Sequence, residues 1–145
     1  MTWLEHLFPR LRGTGYRVVA PPDPAYNCIA WAVGVADAWW WPSGDPEQAH
    51  WPTSAPRDET LKAMQTRFEG LGYRVCDSED FEPGFEKDAI FATAGHVPTH
   101  VARQLPDDRW TSKLGQLECI EHALRDVEGP EYGTVALVMK RPQPS

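Results

Sequence analysis

From residue 73 to its end the chain is written mainly in period two, and this constrains its fold more than any other feature. The segments "YRVCD", "DAIFAT", "THVARQL", "RWTSKL" and "GTVALVMKR" are rich in Val, Ile, Tyr, Phe and Thr, and they are separated by "EPGFEK", "AGHVP" and "PDD". Runs of that composition between Gly, Pro and Asp clusters predict strands, and about five of them predict an antiparallel sheet. Before the last strand lies "GQLECIEHALRDVEG", whose Leu117, Ile120, Leu124 and Val127 mark one helical face and predict an inserted helix. With Asp107 and Asp108 at the tip of the "PDD" hairpin, outward pairing sets Leu105 opposite Trp110 and His100 near Gly115.

The first half reads differently. "TWLEHLFPRL" predicts a short N-terminal helix ended by Pro9, and "YRVVA" an extended segment before the Pro-rich "APPDPA". A second helix starts near Cys28. Asn27 as N-cap makes Cys28 its first residue, whereas Asp23 as cap with Pro24 first puts Cys28 one turn inside. Leu61, Met64, Phe68 and Leu71 predict a third helix, with Ser54 or Asp58 near its start and Gly72 at its end. Helices first and strands afterwards make an α+β chain: N-terminal helices packed on the sheet, with one helix inserted. A length of 145 residues suits one domain, spanning 1–145, with an N-terminal helix in 1–15 and a tail at 142–145 as its peripheral parts. The 14 prolines punctuate loops.

Charge removes several classes of partner. The net charge is -7, and no run of Lys or Arg forms a stripe for phosphates or anionic lipid, so neither nucleic acid nor membrane is expected as a partner. The three cysteines are odd in number and include no CxxC pair, and "MTWLEHLFPR" lacks the pattern of a signal peptide. A reduced, cytoplasmic protein is expected, with no cofactor. Its oligomeric state is left open.

"AYNCIAWAVGVADAWWWPSG" concentrates the chemistry. A thiol attacks as thiolate, and a helix start with an imidazole nearby lowers its pKa, so Cys28 is the candidate nucleophile. His100, at the start of "THVARQL", is the candidate base, held by a strand that can face a helix. A Cys-helix followed by a His-strand is the chain order of papain-like enzymes. A third group should orient the imidazole, and Gln116, Glu118 and His122 are the candidates, His122 being preferred. The Cys28 amide is one oxyanion donor, and the Asn27 side chain is another unless the cap consumes it. Trp39, Trp40 and Trp41 cannot all point into one core, so they form either a wall for a substrate or a cap on the sheet; Trp51 and Lys113 are further wall candidates. Cys119 and His122, three apart on a helix, form half a metal site with no second pair, so no metal is expected.

"YNCIAWA", "WWWP", "FEGLGYRVC", "GFEKDAIFA", "PTHVARQLPDDRWTSKLG", "IEH" and "GPEYGTVALVMKRP" together resemble a family of small bacterial proteins laid out like NlpC/P60-type and other papain-like cysteine hydrolases. The resemblance covers roughly residues 16 to 142. It implies a papain-like fold, Cys28 as nucleophile and His100 as base, and it brings no substrate. The function expected is a cysteine hydrolase, a peptidase or amidase, cutting an amide or peptide bond through an acyl-enzyme. The alternative is a noncatalytic binding or immunity-type module whose Trp-rich surface holds a protein partner.

Overall fold

The computed structural model describes residues 3–34, 39–42, 51 and 58–143. Seven strands form one antiparallel sheet in the order β1-β6-β5-β4-β3-β7-β2. They are β1 (Arg17–Ala20), β2 (Arg74–Cys76), β3 (Phe85–Ala92), β4 (Pro98–Gln104), β5 (Trp110–Lys113), β6 (Cys119–His122) and β7 (Thr134–Pro142). The helices among the described residues are α1 (Trp3–Leu7), α2 (Cys28–Ala32) and α3 (Leu61–Gly70), with 3-10 turns at Pro9–Leu11 and Leu124–Val127. None of them is long and apolar enough to cross a membrane.

The fold is therefore β-rich, and this corrects the α+β, papain-like expectation of N-terminal helices on about five strands with an inserted helix. The largest departure is at residues 115–127. Gly115 takes φ 62, Leu114 N–H donates to the Glu118 carbonyl (3.0 Å), and Leu117 N–H donates to the Leu114 carbonyl (2.9 Å). That turn closes a hairpin, and 119–122 pair with β5 on one side and β1 on the other. Two ladders of backbone bonds, with Cys119, Ile120 and His122 all buried, outweigh a helical spacing of apolar residues that would have had a single face to bury.

The "PDD" hairpin also differs, by one residue. Leu105 pairs with Arg109, and Asp108 stands at φ 68, the left-handed position of a three-residue loop. Gln104 therefore faces Trp110 and Arg103 faces Thr111. Because the side-chain period is two, that slip exchanges the faces of everything opposite His100.

Each face carries a core. On one side α2 and α3 cover Ile90, Val101 and Met139 with Ile29, Met64, Phe68, Trp40 and Trp51. On the other, Leu4, Phe8 and Leu11 cover Ala89, Phe91, Ala102, Trp110 and Ile120. β3 and β7 are paired over eight residue positions, whereas β4 and β5 pair only at Arg103–Thr111 and Gln104–Trp110. Residues 98–102 of β4 thus part from β5, and the candidate site lies along that seam.

Candidate active site

Asn27 begins the site. It is the N-cap of α2, so Cys28 is the first helical residue and the start at Asp23 is not used. Its Oδ1 accepts from Ala30 N–H (3.3 Å) and from Trp40 N–H (3.0 Å), and its Nδ2 donates to the Trp40 carbonyl (2.5 Å). The side chain is consumed. It offers no donor to an oxyanion and instead clamps the backbone of the tryptophan segment to the helix start.

Cys28 lines a cavity of about 600 Å³ together with Leu7, Phe8, Trp39, Trp41, Thr99, Leu114, Gln116, Glu131 and Tyr132. Burial pushes its thiol up to about 11, against the backbone N–H groups of Val101, Ile29 and Cys28 itself and the cation of Lys113, which all favour the thiolate. A lowered pKa at the helix start was expected. A five-residue helix has only a small dipole to offer, and desolvation of a buried sulfur is the larger effect.

His100 is fully buried on the opposite face of β4 from Val101. Its ring stacks on Tyr132 with centroids 4.0 Å apart and planes 2° apart, and it tilts against Phe91 at 5.4 Å. Its Nε2 lies 2.8 Å from Ser112 Oγ, which lies 2.7 Å from His122 Nε2; His122 Nδ1 lies 2.6 Å from the Ala123 carbonyl. Burial holds His122 down at about 4 and His100 well below its ordinary value, so both rings are neutral at pH 7.

Those contacts fix every proton in the chain. A carbonyl only accepts, so His122 carries its proton on Nδ1, and its bare Nε2 accepts from the Ser112 hydroxyl. Ser112 has then spent its one proton and accepts from His100 Nε2–H. His100 Nδ1 is left with a lone pair, buried and without a hydrogen-bond partner. A single imidazole nitrogen is thereby set as an unused base. His122 acts on His100 through Ser112, while Glu118 sits in the β5–β6 turn and Gln116 on the cavity wall.

Tyr132, which covers the ring, is carried by the turn between Gly129 and Gly133. Those two residues exchange backbone bonds (3.0 and 2.8 Å), and Thr99 Oγ1 donates to the Tyr132 carbonyl. Buried Glu128 braces the turn, accepting from Arg10, from Arg125 and from Val135 N–H at 2.9 Å each. Tyr132 is raised by burial first and then by the neighbouring Cys28, which places the phenol and the thiol in one electrostatic environment.

The model of a Domain of unknown function, DUF7689, matches residues 17–140. The chain belongs to the DUF7689 family. No curated protein and no solved structure matches it. The DUF7689 segment contains Cys28, His100, Ser112, His122 and Tyr132, while Leu7 and Phe8 of the cavity wall lie before it.

The remaining sequence candidates separate. Trp39 and Trp41 line the cavity half-buried, and Trp41 Nε1 donates to Glu59 (2.5 Å). Trp40 and Trp51 are buried in the α2–α3 core, with Arg67 4.2 Å over the Trp40 ring. Lys113 is buried behind the wall, donating to the carbonyls of Asp23 (2.6 Å) and Gly115. Cys119 and His122 point to opposite faces of β6, because three residues along a strand reverse the side chain. Among the described residues no three His, Cys, Asp or Glu side chains are grouped as metal ligands. Ser112, Glu131 and Tyr132 were missed. Ser112 was legible only from the correct hairpin register, which puts it with Trp110 on the His100 side; nothing local marks Glu131 or Tyr132.

Proposed function

We propose that this DUF7689 chain is a cysteine hydrolase of amide or peptide bonds, with Cys28 as nucleophile and His100 Nδ1 as base. The observation that carries the reading is the His100–Ser112–His122 chain, which leaves one buried imidazole lone pair on a ring stacked against Tyr132, a wall residue of the cavity that Cys28 lines. The backbone N–H of Val101, the amide next to His100, is among the groups that favour the Cys28 thiolate, and α2 packs on the same strand. The fold is not the one that the NlpC/P60 resemblance implied, so only its Cys–His chemistry is taken over.

In this mechanism the resting pair is neutral rather than a thiolate–imidazolium ion pair. On attack, sulfur bonds the carbonyl carbon while its proton passes to His100 Nδ1, and Ser112 and His122 hold the ring in place. The tetrahedral intermediate collapses, the C–N bond breaks, and the amine leaves with the proton from Nδ1. Water then gives its proton to Nδ1 and its oxygen to the thioester, releasing acid and thiol. Three free thiols suit a reducing, cytoplasmic setting, and the expected partners are a substrate amide or a protein, not nucleic acid or membrane.

The second reading, a noncatalytic binding module that uses the aromatic cavity, is favoured by the high pKa of Cys28. Treatment with p-nitrophenyl acetate separates the two. A hydrolase gives a burst of nitrophenolate, an acetyl thioester at Cys28 by peptide mass, and loss of both in Cys28→Ala and His100→Asn. No acylation at Cys28, or acylation indifferent to His100→Asn, leaves the binding module.

A further inference from the structure

The cavity also carries a charge asymmetry, which bears on the substrate and rests on the reading of Cys28 as nucleophile. Among the described residues that line it, Glu131 is the one with a charged side chain, exposed at the rim. The rest of the wall is largely flat and apolar: Phe8, Trp39, Trp41, Leu114 and Tyr132. Its polar groups are mostly spent, Asn27 on Trp40 and Thr99 on the Tyr132 carbonyl. Lys113 is outside the lining, its ammonium spent on the Asp23 and Gly115 carbonyls, so its charge reaches the Cys28 sulfur from behind the wall while Glu131 is the charge that an entering group meets.

A carboxylate entering such a cavity exchanges its water for aromatic faces and meets a like charge at the rim. A cation meets Glu131 and the negative faces of tryptophan rings. We propose that Glu131 is a specificity-determining residue, and that the site takes amides with an uncharged or cationic, flat apolar flank while turning away those with a carboxylate beside the scissile bond. Peptides with acidic flanks are then poor substrates.

Three methanethiosulfonates of one leaving group test this: a trimethylammonioethyl (cationic), a methyl (neutral) and a sulfonatoethyl (anionic) reagent. In each the Cys28 thiolate attacks the sulfenyl sulfur, forms a mixed disulfide and expels methanesulfinate. Rates at Cys28 are read by peptide mass. The cation-to-anion ratio, divided by that of free 2-mercaptoethanol, cancels both intrinsic reactivity and thiolate fraction. The normalised ratio is expected to exceed about tenfold and to fall about threefold or more in Glu131→Gln. A ratio equal to that of the free thiol, or one unmoved by Glu131→Gln, overturns the proposal. If Cys28 takes up none of the reagents, the nucleophile reading fails separately, and tryptophan quenching by caesium and iodide reads the cavity's charge instead. A caesium preference that weakens in Glu131→Gln supports the charge assignment, and equal quenching in the two proteins overturns it.

Discussion

At pH 7 the Cys28 sulfur carries its proton, because burial outweighs three backbone N–H groups and a lysine cation. A thiol at about 11, against an ordinary value near 9, holds its proton more tightly folded than unfolded. The resulting stability, about 2 to 3 kcal/mol for a shift of that size, is fully present below pH 9 and is lost as pH rises through 11. Urea unfolding of the parent and of Cys28→Ala at pH 7.5 and 10.5 is expected to show a smaller alkaline loss in the variant; equal losses would mean that the thiol is not desolvated. Asn27 is the other residue whose place decides much. The cap itself was legible, since Asn directly before "CIAWA" is a strong helix start, but its bonds to Trp40 were not, because nothing local links residues 13 apart. Asn27→Ala removes the cap and strands the Trp40 N–H and carbonyl. A loss of about 1 to 3 kcal/mol in unfolding free energy is expected, with faster acrylamide quenching of tryptophan.

Among the elements, the tryptophan segment and the Gly129–Gly133 turn shape the cavity. Backbone clamping by Asn27 puts consecutive tryptophans on different sides, so Trp40 is core while Trp39 and Trp41 face the cavity. Trp40→Ala is expected to cost about 3 to 5 kcal/mol, the range for a truncated buried aromatic, and Trp41→Ala clearly less. The reverse order in their unfolding midpoints would contradict this division. Gly133 stands at φ 76, and a Cβ there would lie 2.1 Å from the Ala92 carbonyl oxygen. Gly133→Ala must therefore displace the turn that stacks Tyr132 on His100, and destabilisation of more than about 1 kcal/mol is expected. The strand segments were legible from composition, and α3 from its spacing. β6 was not, because apolar residues at 117, 120, 124 and 127 satisfy helical spacing, while the partners that make a strand of it, β1 and β5, lie elsewhere in the chain.

For the whole molecule, the sheet keeps Cys28 with the α2–α3 core and His100 against Phe91 of the α1 core, and Tyr132, which stacks on His100, lines the cavity of Cys28 along the seam where β4 parts from β5. No local pattern announces such a seam, since it depends on pairing that stops after two residue pairs. The sequence could nominate Cys28, His100 and His122, but Ser112, which joins the two histidines, needed a hairpin register correct to one residue. The central proposal is that His100, with its bare Nδ1, is the base for Cys28. Long-range ¹⁵N–¹H correlation of the histidine rings at pH 7 tests it most directly, in the parent and after methylthiolation of Cys28. The expected spectrum shows His100 protonated on Nε2 and His122 on Nδ1, with the His100 Nδ1 resonance moving when Cys28 is capped. A proton on His100 Nδ1, or an Nδ1 resonance indifferent to the state of Cys28, would contradict the pairing.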